Sequence, residues 1–287
     1  MPNEAGRFLV ALACGRRVRV QVMVLHGPAR ELCERHGLVE GAAVLAGEGL
    51  VAAALLSAHI KGEERLTLRV EGSPDADRDS PRFLFTADVD GDGAIRGRLS
   101  PTTFPRVASF DAIFSVIKSV GPKEVYRGHT TARQESFEAA LQRYFNSSAQ
   151  VDGRVRILAE ADEQGLRFAA GMLVERLPEM PAEDFAALLD QPMRADFRGL
   201  MTQVAFGQLA GEALEILDWR DYHFFCGCSR ARVIGMLRGF GAQDLKELLT
   251  EQGQAEVTCQ YCRTVQVVTG PELLALIKEL EADAPDR

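Results

Sequence analysis

The spacing of hydrophobic positions changes along the chain and divides it into three parts. In the first, Leu66, Leu68 and Val70 alternate with polar neighbours, as do Phe83, Phe85, Ala87 and Val89, and each set predicts a half-buried strand. Further strands are expected over Ala94 to Leu99, Ile113 to Lys118 and Val125 to Thr130, separated by turns containing Gly or Pro. Pro28 to His36 predicts a short helix. The alanine-rich run from Gly41 to Ile60 predicts a longer, buried one able to pack closely on a sheet. Phe137, Ala140, Leu141 and Tyr144 recur at helical spacing. Val155, Ile157 and Ala159, the turn Asp162-Glu163-Gln164-Gly165, and Phe168 to Val174 read as a hairpin. Residues 1–178 are therefore expected to form an α+β domain rich in antiparallel strands.

From about Glu179 to Phe225 strand signals vanish. Pro181, with Glu183 and Asp184 in the first turn, starts a helix that carries Phe185, Leu188 and Leu189 on one face. A second helix is expected over Phe197 to Leu217, but Gly199, Gly207 and Gly211 each cost it about 1 kcal/mol relative to alanine. Its stability must come from packing. Residues 179–225 thus read either as an ordinary helical hairpin between domains or as a conditionally folded linker. The third part, 226–287, predicts helices from Ser229 to Leu237 and from Ala242 to Leu249, and a hairpin over Val257 to Val268. Thr269 with Glu272 then makes a capping box before Leu273 to Leu280.

Four of the six cysteines fall in this last part, as Cys226-Gly227-Cys228 and Cys259-Gln260-Tyr261-Cys262. Two close pairs of thiolates around a helix-sized insert have the spacing of a four-thiolate zinc site, each pair supplying one edge of the tetrahedron. Permanent disulfides are the rival reading, and nothing else in the chain looks secreted. Only one residue separates the first pair, so its thiols can couple once the metal leaves, and the site is a candidate switch as well as a staple. So small a unit buries little core. Structural zinc would supply on the order of 10 kcal/mol of its folding free energy.

Composition narrows the function. A net charge of −8 over 287 residues disfavours a nucleic-acid surface, which needs clustered Lys and Arg. The first residues carry no basic stretch followed by an apolar one, and the run from Gly41 to Ile60 reads as a buried helix rather than a membrane span. A cytoplasmic protein with reduced thiols is expected. Asp88 to Gly93 imitates the start of a calcium loop, but Leu99 stands where the bidentate glutamate belongs, so a tight hairpin turn is expected. His223 is a spare ligand beside four cysteines. Cys14 and Cys33 read as core or surface thiols, and His26, His36, His59 and His129 are scattered. No catalytic constellation or phosphate loop appears.

The run from His223 to Ser229, the segment Leu245 to Gln252, and Glu256 to Cys262 resemble the C-terminal signature of the thirty-three-kilodalton heat-shock proteins, the HslO family of redox-regulated holdase chaperones. Fainter matches fall at Gly47 to Ile60, Phe83 to Gly97, Tyr126-Arg127-Gly128, Tyr144-Phe145 and Ala170 to Leu173. Where the family usually has Ser-Glu-Gln after its Tyr-Phe, this chain has Asn146-Ser147-Ser148-Ala149-Gln150. The resemblance implies a non-enzymatic, ATP-independent chaperone in three parts. These are a substrate-binding and dimerisation domain over 1–178, a conditionally folded linker over 179–225 and a zinc-binding redox switch over 226–287. It implies one Zn2+ per chain on Cys226, Cys228, Cys259 and Cys262 in the reduced, inactive form. Oxidation would give the disulfides Cys226–Cys228 and Cys259–Cys262 with zinc release, and unfolding client proteins would bind an active homodimer.

Two other classes fit the cysteines less well. A zinc-ribbon nucleic-acid or interaction module predicts a basic surface near the knuckle, yet from Cys226 onward acidic residues outnumber basic ones. A thiol–disulfide oxidoreductase uses a CxxC that opens a helix after a strand, without a second cysteine pair.

Overall fold

The period-two segments become strands of one ten-stranded sheet. The structure, a computed structural model, describes residues 6–74, 80–190 and 214–282. Two compact units divide the chain between Phe225 and Cys226.

In the first unit the elements are β1 (Gly6–Ala13), β2 (Val18–Val24), α1 (His26–His36), α2 (Glu40–Leu56), β3 (Glu64–Ser73), β4 (Phe83–Asp90) and β5 (Ala94–Ser100). They continue with β6 (Phe110–Val120), β7 (Lys123–Glu135), α3 (Phe137–Ser147), β8 (Gly153–Asp162), β9 (Gly165–Arg176), α4 (Ala182–Asp190) and β10 (Glu215–Phe224). The strand order is β7-β6-β3-β4-β5-β10-β1-β2-β9-β8, antiparallel throughout except where β10 meets β5. A mixed α+β fold is what the hydrophobic pattern predicts.

α2 is apolar all round, which in a globular protein requires burial on every side. It runs beneath the sheet and is buried along nearly its whole length, from Ala42 to Leu56. Close approach is arranged by missing side chains. A Cβ at Gly49 would stand 2.3 Å from the Phe85 ring, and one at Gly171 2.3 Å from Val51 Cγ1. Phe83, Phe110, Phe114 and Phe137 extend this core toward α3 through edge-to-face ring contacts. α3 starts at Ser136, whose side chain accepts from Ala139 N, and it lies against both β7 and β8, the two ends of the strand order.

The other face of the sheet carries a second, smaller core. Leu9, Val22 and Met172 stand side by side across β1, β2 and β9, and Met180 and Phe185 cover them from α4 and the loop before it. Burying Phe185 alone is worth about 1.5–3 kcal/mol.

The helix expected at Pro181 is thus present as α4, while residues 191–213, which hold most of the second helix expected from Phe197, lie outside the described residues. Its last part is corrected. Glu215 to Phe224 is a strand, not helix, and strand signals do not vanish before Phe225. Pairing explains the difference: β10 aligns with β1 from Gly6↔Tyr222 to Leu12↔Glu215, a partner roughly 200 residues away that no local period reports. Tyr222 is fully buried on the α2 side, edge-on to Phe8, with its hydroxyl 3.1 Å from Ser57 Oγ. Asp90 closes the β4–β5 hairpin by accepting from Asp92 N and Ala94 N, so the calcium-like run is a turn.

The second unit holds α5 (Arg230–Arg238), α6 (Ala242–Gln252), β11 (Ala255–Thr258), β12 (Val265–Val268) and α7 (Gly270–Ala282). Its core consists of Leu237, Leu245, Ala255, Val268, Leu273, Leu276 and Ile277. α7 opens with the expected capping box, in which Thr269 N and Thr269 Oγ1 donate to Glu272 Oε2 at 2.8 and 2.7 Å.

Candidate metal centre

Each half of the cysteine cluster sits on a short, hydrogen-bonded knuckle. The first, Cys226-Gly227-Cys228, leads into α5, where Ser229 Oγ accepts from Arg232 N as an N-cap and the Arg232 guanidinium donates to Gly227 O at 2.9 Å. Arg230, next in sequence, donates to Val267 O on β12 and pairs with Glu272 on α7. The second knuckle is the β11–β12 turn. There Cys259 N donates to Thr264 O and Arg263 N to Cys259 O, with Arg263 held at a φ of 60°.

These supports bring all four thiols together. The Sγ atoms of Cys226, Cys228, Cys259 and Cys262 lie within 4.8 Å of one another. The nearest neighbours cross between the knuckles, Cys226 to Cys259 at 3.6 Å and Cys228 to Cys262 at 3.2 Å. A zinc–sulfur bond of about 2.3 Å sets tetrahedral ligand sulfurs about 3.8 Å apart, so sulfurs that lie from 3.2 Å to at most 4.8 Å apart reach that spacing with shifts of about 1 Å or less. At these separations no pair is bonded as a disulfide.

The environment favours ionised sulfur at one of the four. Burial works to raise the Cys262 thiol, but its hydrogen bonds with Thr264 and the neighbouring thiols outweigh it and draw it down to about 6. Cys228 moves the other way, up to about 12, chiefly because it shares its proton with Cys262. A cation at the centre would replace that shared proton and favour four thiolates. Thr264 and Arg230 are the supporting residues that sequence reasoning missed. Neither belongs to a periodic or cysteine-spacing pattern.

The remaining candidates lie elsewhere. His223 is in β10, where it pairs with Ala94, and it is not part of the cluster. Cys33 is buried on α1 with its sulfur 4.0 Å from Ala43 O, and burial, then the charge of Glu34, pushes its thiol up to about 12. That makes it an inert core thiol. Cys14 sits half-buried where β1 turns toward β2.

A family model described as Hsp33 protein matches residues 7–269. The chain belongs to the Hsp33 family. It is 29% identical over 267 residues to the 33 kDa chaperonin of Syntrophotalea carbinolica, covering 86% of this chain and 90% of that one. Its identity to the 33 kDa chaperonin of Geobacter sp. strain M21 is 26%, over 94% and 96% of the two chains. The crystal structure of the 33 kDa chaperonin from Thermotoga maritima superposes with a TM-score of 0.79, covering 98% of this chain and 100% of the other. At 20% identity that likeness is one of fold. Membership of the Hsp33 family makes the protein a chaperone, and the cysteine cluster fits the metal and redox chemistry expected of it.

Proposed function

We propose that this Hsp33 family member is an ATP-independent, non-enzymatic holdase whose binding of unfolding clients is gated by the redox state of Cys226, Cys228, Cys259 and Cys262. The observation that carries the reading is the meeting of four sulfurs from two knuckles within 4.8 Å. In the reduced protein the four thiolates hold one Zn2+ per chain. When bound, zinc keeps the sulfurs deprotonated and ties the two knuckles together. The reduced state belongs to the cytoplasm.

Hydrogen peroxide converts Cys226 with Cys228, and Cys259 with Cys262, to disulfides. Each pair gives up two electrons and forms one S–S bond. The peroxide O–O bond breaks and, with two protons, leaves as two waters. The closest sulfur contacts run between knuckles, so each pair must first turn inward within its own knuckle. Disulfide sulfur is no longer a thiolate ligand, and the second unit loses on the order of 10 kcal/mol of folding free energy. Residues 226–282 then unfold, the packing of α4 loosens, and apolar surface opens to clients on an active homodimer. Leu9, Val22 and Met172 form the row that lifting α4 would uncover.

The test pairs zinc and thiol titration with suppression of aggregation of a thermally unfolding enzyme. We expect one zinc and four reactive C-terminal thiols in the resting protein, both lost on peroxide treatment as suppression rises. Equal suppression by the reduced and oxidised forms would remove the switch and leave the chaperone.

A further inference from the structure

We infer that Arg230 is a positioning residue for the metal: its guanidinium clasps the first cysteine knuckle to the part of the unit that carries the second, so that all four sulfurs face one centre. The inference rests on the four-thiolate reading and names what holds the two knuckles in register.

The two knuckles are secured differently. The second is a hairpin turn that closes on itself, through Cys259 N to Thr264 O, Arg263 N to Cys259 O and the β11–β12 ladder. The first lies outside any helix or strand from Cys226 to Ser229, and the bonds of Arg232 with Gly227 O and Ser229 Oγ stay within residues 227–232. Those bonds shape the knuckle from within.

Arg230 supplies the crossing. Its Nη1 donates to Val267 O on β12 at 2.8 Å, and its Nη2 pairs with Glu272 in the first turn of α7. Val267 belongs to the strand that leaves the second knuckle, so one side chain, two residues after Cys228, joins the two cysteine segments. Glu272 is itself fixed. Thr269 N and Thr269 Oγ1 donate to its Oε2 while Arg230 takes Oε1, so both carboxylate oxygens are engaged.

The placement of Arg230 runs against the needs of its own helix. α5 begins with Arg230 and Arg232 and has no acidic residue in its first turn, where the positive end of the helix dipole favours Asp or Glu. In the same unit α6 and α7 carry Asp244 and Glu272 there. A cation kept at the unfavourable end points to partners outside the helix, and for Arg230 these are Val267 O and Glu272. Arginine suits the role because one planar guanidinium reaches two acceptors at once, whereas an ammonium acts as a point charge. α5 also contains a control. Arg238 in its last turn pairs with Glu279 of α7 at 2.5 Å, a cross-link between the same two helices but ten residues beyond Cys228.

The test uses the reduced, zinc-loaded full-length protein. Trace alkylation with N-ethylmaleimide, mapped by mass spectrometry, compares Cys226 and Cys228 with Cys259 and Cys262, and amide exchange at Leu245, Val268 and Ile277 reports the fold of the unit. In Arg230→Met the first pair should alkylate about tenfold faster relative to the second, and zinc affinity by chelator competition should fall about tenfold, with core exchange unchanged. Arg230→Lys, which keeps the charge but not both bonds, should lie between, and Arg238→Met should match the wild type within about twofold. Acceleration of all four thiols together with the core amides would reduce Arg230 to a stabilising ion pair and overturn the clasp. So would an equal effect of Arg238→Met, or unchanged alkylation and affinity in Arg230→Met; each leaves the four-thiolate site in place. A wild-type protein that holds no zinc would overturn that site and this inference with it. Should Arg230→Met fail to fold, Glu272→Gln decides, since it weakens the same clasp from α7 and should shift alkylation toward the first pair by about threefold or more.

Discussion

Replacing Leu273 by alanine should have opposite outcomes with and without metal. Leu273 is fully buried at the start of α7, in a core of seven apolar side chains. In a unit of this size the core rarely supplies more than roughly 3–5 kcal/mol, close to what ordering the chain costs. Truncating a buried leucine costs about 2–5 kcal/mol, toward the upper end where packing cannot collapse onto the gap. Without metal the unit is already at the edge of unfolding, so truncation removes what the core supplies, and metal-free, reduced Leu273→Ala should have an unfolded second unit. With zinc bound, a further contribution of about 10 kcal/mol keeps the same variant folded. Amide exchange at Leu245, Val268 and Ile277, followed with reductant and with or without a chelator, reads the difference directly. Full protection in the chelated variant would mean that the apolar core carries the unit and the metal does not. Loss of protection in the zinc-loaded variant would mean that the metal's contribution is far smaller than proposed.

Cys259→Ser should lose zinc binding while His223→Ala keeps it. Full metal affinity in the serine variant, measured by competition with a chromogenic chelator, would rule out the four-thiolate site. Burial, then the charge of Glu138, pushes the Glu48 carboxyl up to about 7 against the opposing pull of Arg106. Because its folded pKa is raised, the stabilised form is the protonated one. Its contribution is complete below about pH 4.5 and is lost as pH rises through about 7. Thermal melts should therefore fall across that window in the wild type and flatten in Glu48→Gln; identical pH profiles for the two would exclude this role. Trp219, 46% exposed and paired with Leu9, should shift its emission to the red during peroxide treatment with mild heat, in step with thiol loss. Unchanged emission after all four C-terminal thiols are consumed would confine unfolding to the second unit.

Much of the fold is legible where burial is one-sided. β3 and β4 alternate because one face meets α2 and the other faces outward, and α2 itself declares its burial by having no polar face. β1 and β2 are harder to read. Phe8 and Leu9 are buried on opposite faces, one over α2 and one under α4, so the period-two contrast is lost. β10 is hidden for the reverse reason. It is rich in charge, with Ile216, Leu217 and Trp219 exposed, and its identity as a strand depends on distant partners. The cysteine cluster was legible because metal geometry constrains sequence spacing directly. Its supports Arg230 and Thr264 were not, since they act through contacts made only after folding.

The position of β10 has a consequence during synthesis. It lies between β5 and β1, so it alone joins the two halves of the sheet, yet it follows β1 by roughly 200 residues. At about 5–20 residues per second the ribosome needs on the order of 10–40 s to deliver it. For that interval the nascent chain holds β1 as an open edge, joined by β5 for roughly the last 6–23 s, and any chain released between residues 100 and 215 keeps both. A member of a chaperone family thus passes through an aggregation-exposed stage of its own, ended by the strand immediately before its first C-terminal cysteine.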